Sequence, residues 1–344
     1  MAPPKSRPAK KTGKKTAKEL RGEHEPQSII PVDLQQLLLN VFKNSFVERL
    51  GADFKPLLQE VKGHLYNRDF LTAFGRNDYL EVYAARWSPS RALGYLDIFA
   101  SLNDLNLSTP SVNQQEDRRE IVCIGGGAGA EIVALGGYLA YLQRTNQMPS
   151  PQPQMNIKSI DIADWAIVGD KLHQHLTTAP PISQYASASA KASNVPLLDS
   201  DLLNVSFKHA DVLNLDASTL RPLFQGVKLV TIMFTLNELY STSLALTQKF
   251  LLNLTECLDE GAQLLVVDSP GSYSTVTLNG AEKKYPMKWL LDHTLLKQGP
   301  KGEEPPWTKV IEDESRWFRL QTELNYPIEL ENMRSQLHLY SRST

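Results

Sequence analysis

Four glycines in the span Glu120-Ile-Val-Cys-Ile-Gly-Gly-Gly-Ala-Gly-Ala-Glu131 are the residues whose spacing most directly predicts chemistry. Gly125, Gly126, Gly127 and Gly129 follow the apolar run Ile121 to Ile124, and without Cβ atoms they would let a ligand approach the backbone closely. Ile132, Val133, Leu135 and Leu139 then recur at helical spacing, so a helix N-terminus would point its N–H groups at the bound group. Strand, glycine turn and helix together predict a nucleotide cradle. The same residues satisfy the dinucleotide fingerprint G-x-G-x-x-A at Gly125, Gly127 and Ala130, which leaves the class of nucleotide open at this point. Downstream, Ile157-Lys-Ser-Ile-Asp-Ile162 reads as a second strand ending near Asp161, where a carboxylate could accept both hydroxyls of a ribose. Its distance from the turn is about twice the roughly 20 residues of a dinucleotide fold, and the Pro- and Gln-rich loop 143–156 accounts for the excess.

Further polar groups fall at the ends of further apolar runs. Val205 to Ala210 leads to Asp211, Leu229 to Phe234 leads to Thr235-Leu-Asn-Glu-Leu-Tyr240, and Gln263 to Val267 leads to Asp268-Ser-Pro-Gly. Open α/β sheets bind their ligands at such carboxyl ends. Upstream, Arg86-Trp-Ser-Pro-Ser-Arg91 predicts a helix that is interrupted and restarted, with Ser88 as N-cap and Pro89 in the first turn. Two guanidiniums beside a helix start suit a carboxylate or phosphate; the plainer reading makes Trp87 a core aromatic and pairs the arginines with surface acids.

This order of parts resembles the class I S-adenosylmethionine (SAM) methyltransferases. The glycine turn answers to their first motif, Asp161 to the acidic ribose ligand and Asp211 to the residue that reads the adenine amino group, with Ile162 and Val212 beside them. Asn237 and Glu238 occupy the position that faces the methyl donor. Ile-Gly-Gly-Gly-Ala-Gly-Ala-Glu131, Ala85-Arg-Trp-Ser-Pro-Ser-Arg-Ala-Leu93 and Phe234-Thr-Leu-Asn-Glu-Leu-Tyr240 are together similar to the fungal large-subunit ribosomal RNA uridine-N3 methyltransferase family, over roughly residues 30 to 344. The resemblance implies an α/β, Rossmann-like seven-stranded sheet with a helical N-terminal cap, SAM as cofactor, and ribosomal RNA or a pre-ribosomal particle as partner in the nucleus or nucleolus. Arg86 and Arg91 then become candidates for the donor's methionine carboxylate.

Methyl transfer from a sulfonium consumes charge rather than creating it, so alignment supplies much of the catalysis. If the acceptor is uridine N3, its imide proton must leave and the base must be unpaired or flipped. Glu238 is the candidate base and Asn237 the candidate orienting group; the alternative for Glu238 is a donor contact or a helix cap. Cys123 lies inside a strand, and no metal-ligand spacing occurs among the seven histidines. A methyltransferase acting on a protein or small molecule, and a ribosome-assembly scaffold without catalysis, are the competing readings. An NAD(P) dehydrogenase ranks below them for want of a matching acid/base pair.

Charge is distributed unevenly. The formal net charge is -2 over 344 residues, yet residues 1–22 hold eight Lys and Arg against Glu19 alone, leaving 28 basic and 37 acidic side chains in the remainder. Residues 1–28 are therefore expected to be a disordered basic tail suited to phosphates or nuclear import, 29–118 a helical cap on the sheet edge, and 119–344 the SAM-binding domain. Two cysteines give no disulfide framework and predict a reducing compartment, and no run of about 18 apolar residues predicts a membrane span. Loop 177–201 reads as a mobile insertion. Segment 271–306, with Tyr273, Lys283, Lys284, Tyr285, Lys288, Trp289, Lys297 and Lys301, mixes cations and aromatics as single-stranded nucleic acid grooves do, or else forms a solvated helix over a buried Trp289. Trp317 to Leu320 and Leu337 to Tyr340 are the expected last two strands, one of them antiparallel.

Overall fold

A computed structural model describes residues 28–343 except 103, 106, 108–117, 151, 272, 279–280 and 299–303, and describes only the backbone of 274–278 and 281–283. The basic tail, Lys301 and the side chain of Lys283 lie outside the described residues.

Helices α1 (Val32–Ser45), α2 (Phe54–Tyr66), α3 (Phe70–Ala73) and α4 (Asn77–Ser101) come first. Strands and helices then alternate: β1 (Arg118–Ile124), α5 (Ala130–Arg144), β2 (Gln154–Asp161), α6 (Ala166–Thr177), α7 (Ala188–Ala192), β3 (Leu203–His209), α8 (Ala217–Phe224), β4 (Leu229–Met233), α9 (Leu236–Thr242), α10 (Leu244–Cys257) and β5 (Gln263–Asp268). A hairpin of β6 (Tyr273–Leu278) and β7 (Ala281–Pro286) precedes α11 (Met287–Leu295), and β8 (Trp307–Phe318) and β9 (Met333–Arg342) close the chain.

The seven-stranded sheet runs β3-β2-β1-β4-β5-β9-β8. β1 to β5 are mutually parallel, and β9 pairs antiparallel with both β5 and β8. This is the expected Rossmann-like class I sheet with its antiparallel closing strand. Because the chain builds outward from β1 to β3 and then returns to β4, the carboxyl ends of β1 and β4 form the topological switch where such sheets bind ligands. Ile121, Val122, Cys123 and Ile124 are all buried, as a strand covered on both faces requires. β3 differs from the buried strand expected: it is an edge, and Asn204, Ser206, Lys208 and His209 are exposed.

One apolar cluster joins α1, α2 and α4 to α5, α6 and one sheet face, and a second packs α8, α10 and α11 on the other. The first helices thus lie over a face, on α5 and α6, rather than against a sheet edge. Only α4 reaches the closing strands, where a Cβ on Gly94 would stand 2.3 Å from the Met333 methyl. Loop 177–201 carries α7, capped by the Ser187 hydroxyl, and Leu198 buries itself against Gly136 of α5.

The helix break expected at 86–91 does not occur, and α4 runs through Pro89 for 25 residues. Proline there removes the N–H that would bond to the Ala85 carbonyl. The Tyr326 hydroxyl donates to that carbonyl at 3.0 Å instead, and Ser88, no longer a cap, donates to the Ala128 carbonyl at 2.7 Å. Tyr326→Phe is therefore expected to lower stability by about 1 to 3 kcal/mol in denaturant titrations, the cost of an unpaired buried carbonyl. Adding Pro89→Ala, which restores an N–H donor, should recover most of that loss.

Candidate functional site

The switch point opens into a cavity of about 550 Å³, within the range of small-molecule sites. The turn below it is shaped by steric demands from several directions. Gly125 and Gly129 have φ of 72° and 79°, a region that L side chains rarely enter. A Cβ would lie 2.2 Å from Thr235 Oγ1 at Gly125, 2.6 Å from Cys123 Cβ at Gly126, 2.1 Å from Trp165 Cδ1 at Gly127 and 2.2 Å from Leu172 Cδ1 at Gly129. Only Gly125 of the four lines the cavity. All four glycines clear space for the protein's own side chains, because β1, β2, α6 and the residue ahead of α9 converge on the turn.

Asp161 lines the cavity, and its carboxylate accepts the Gly127 N–H at 3.1 Å and the Ala163 N–H at 3.2 Å. Burial pushes this carboxyl up, and those N–H groups pull it back toward ionisation. Asp211 also lines the cavity, anchored by the Leu213 N–H at 3.0 Å and the Asn214 amide at 2.6 Å, and Ile162 and Val212 stand beside the two acids. These four predicted residues are brought together.

The two arginines separate. Arg91 lines the cavity, donates to the Tyr83 hydroxyl at 3.2 Å, and lies 5.0 Å from the centroid of the Phe234 ring. Arg86 is turned away and pairs with Glu331 on the segment before β9. An unbroken α4 explains the difference, since residues five apart point in directions well over 90° apart around a helix.

Phe234 directly follows β4 with φ 53°, a strained value for an aromatic residue. Its N–H is held by the Val267 carbonyl at 2.7 Å, and α9 starts two residues later, after Thr235. Asp268 accepts the Asn237 N–H at 3.0 Å and so ties the start of α9 to β5. Asn237 does not line the cavity, and its side-chain oxygen is buried with no partner among the described residues. Glu238, one step further round the helix, stands exposed on the cavity wall.

Sequence reasoning passed over Glu131, the last residue of the glycine motif. It occupies the first turn of α5, is 3% exposed, lines the cavity and leaves Oε1 without a partner among the described residues. The available signal was an acid directly after a glycine turn, and a first-turn acid ordinarily serves the helix dipole from the surface. Burial pushes its carboxyl up to about 7, against its own backbone N–H and Arg91.

A family model for SAM-dependent methyltransferases matches residues 42–341. The chain belongs to that family. It is 34% identical over 328 residues, 90% of this chain and 86% of the other, to the 25S rRNA (uridine(2843)-N(3))-methyltransferase of Saccharomyces cerevisiae. Among solved structures it is similar to an O-methyltransferase family protein from Burkholderia thailandensis, at 13% identity and TM-score 0.40 over 86% of this chain and 74% of that one. A SAM-dependent methyltransferase from Methanosarcina mazei matches at 10% identity and TM-score 0.33 over 67% and 94%. The family match and the yeast relative make the protein a SAM-dependent methyltransferase.

The Glu131 carboxyl has a consequence for stability. An unfolded glutamate releases its proton near 4.5, whereas the folded one holds it to about 7, so stability falls as pH rises between those values and levels off above. Glu131→Gln should remove this slope. Melting of the ligand-free protein from pH 4.5 to 8 is expected to show the variant gaining on the parent by on the order of 3 kcal/mol across the window.

Proposed function

We propose that this methyltransferase modifies N3 of a uridine in large-subunit ribosomal RNA. The observation that carries the reading is the yeast relative named for that chemistry, matched over nine-tenths of this chain. The cavity supports it with residues suited to each part of the donor. SAM supplies a methyl group made electrophilic by its attachment to a sulfonium. Its amino-acid end carries one carboxylate and one ammonium; Arg91 is a half-buried guanidinium on the cavity wall without an ion pair to a described residue, and Glu131 is a buried carboxyl with a bare oxygen. Arg91 would take the carboxylate, Glu131 the ammonium, Asp161 the ribose hydroxyls and Asp211 the adenine amino group, with Gly125 at the turn and Ile162 and Val212 as walls. Arg86, Gly126, Gly127 and Gly129 act indirectly by fixing α4 and the turn.

Glu238 supplies the open carboxylate on the acceptor side. It would accept the proton that N3 loses when it is methylated. Asn237, behind the wall, positions Glu238 through its hold on Asp268 rather than touching the acceptor. Ribosomal RNA is made in the nucleus, and residues 1–22, with eight basic side chains, suit delivery there and RNA phosphates.

Three measurements test the reading. Incubation of the full chain with SAM and large-subunit ribosomal RNA, followed by nucleoside mass spectrometry, should yield 3-methyluridine; methylation of protein only, or of none of these, overturns it. Glu238→Gln should bind SAM normally yet lose roughly 10² to 10⁴ in rate, with partial recovery at higher pH. Asp161→Ala, by contrast, should weaken SAM binding in calorimetry by about 1.5 to 3 kcal/mol, the value of a charged hydrogen bond.

A further inference from the structure

The closing strands bring an aromatic ring and two guanidiniums together at the rim that carries the site. Trp317, near the end of β8, pairs in register with Arg334, near the start of β9. Trp317 is 46% exposed, and two cations lie close to its ring: Arg319 Cζ is 4.7 Å and Arg334 Cζ 5.4 Å from the ring centroid. Arg334 donates through Nε and Nη2 to the Ser315 hydroxyl at 3.1 and 3.0 Å, a neutral partner that leaves its charge in place. The neighbouring β8 carboxylates Glu312 and Glu314 are paired with Lys288, and Glu312 also with Lys309, so they add little opposing charge.

Topology sets where this cluster lies. β9 enters the sheet beside the carboxyl end of β5, with Gln336 opposite Asp268, the residue that anchors α9 and hence Glu238. β4, whose end leads into α9, is three strand spacings from β8, roughly 15 Å. A few nucleotides of extended chain bridge that distance. A half-exposed indole with guanidiniums beside it offers aromatic surface and positive charge, the two features that bind an unpaired nucleotide without reading its sequence.

We infer that Trp317, flanked by Arg319 and Arg334, is a stacking platform for an unpaired nucleotide of the RNA substrate a few positions from the base presented to Glu238. The inference rests on the RNA reading above and adds a surface to it. N3 lies on the pairing edge, so the target segment must be single-stranded at the moment of transfer, and an enzyme gains by holding its flanking bases apart.

The test uses the full chain and a fluorescein-labelled single-stranded oligouridylate of about 20 nucleotides, with anisotropy followed across a salt series. Trp317→Ala should raise the Kd about tenfold, Trp317→Phe should restore most of the affinity, and Arg334→Ala should reduce the salt slope by about 0.7, the share of one single-strand phosphate. SAM affinity by calorimetry should match the parent in all three, which shows that the site is intact. Parental affinity and slope in both Trp317→Ala and Arg334→Ala would overturn the platform while leaving RNA methylation standing. An equal loss toward a fully paired RNA duplex would also overturn it, since stacking needs an unpaired base. If the parent chain itself does not bind oligouridylate, platform and RNA reading fall together.

Discussion

The glycine turn between β1 and α5 is the constraint on which the rest of the site depends. Each missing Cβ is claimed by a different element: Thr235 ahead of α9, Cys123 in β1, Trp165 and Asp161 at the junction of β2 and α6, and Leu172 within α6. The Gly125 N–H bonds the Ile160 carbonyl at 2.8 Å, and the Gly127 N–H bonds Asp161, so the turn and the end of β2 are set as one unit. A side chain here would separate the elements that form the walls of the cavity. Close packing leaves little room to absorb such a shift.

Around that turn the protein keeps several ionisable groups out of water. Burial raises Glu131 to about 7 and Asp268 to about 6, and raises Asp161 above its usual range. Two of the three are restrained by backbone N–H groups from neighbouring segments, which makes them fasteners: Asp161 joins β2 to the turn, and Asp268 joins β5 to α9. Glu131 Oε1 has no partner among the described residues. A buried polar atom left bare is costly, and a ligand cation is what would offset that cost.

The long α4 shows how the two ends of the chain depend on each other. Pro89 would leave a carbonyl unpaired in the middle of a buried helix, and Tyr326, 241 residues after Ala85, supplies the missing donor. Arg86 pairs with Glu331 and Arg316 with Asp97, so segment 316–331 fastens α4 to the closing strands. The helical start of the chain, which supplies one wall of the cavity, is thereby held to the segment that joins the last strands.

The sequence by itself determined the parts carried by local pattern. Apolar runs ending in polar residues marked all five parallel strands, and the glycine turn, Asp161, Asp211, Arg91 and Glu238 were legible because each sits at a strand end or on a helical stripe whose geometry follows from spacing. Tertiary structure decided what depends on who stands opposite. Proline 89 reads as a helix break until Tyr326 is brought to it; Arg86 and Arg91 read alike until an unbroken helix turns them apart. Glu131 reads as a surface helix acid until α4 and the sheet bury it. Trp317 and Arg334 are 17 residues apart in the chain and become one surface only through the antiparallel register of β8 and β9. Local pattern fixes which way a backbone turns, whereas burial, charge partners and stacking arise from contacts between segments distant in the chain.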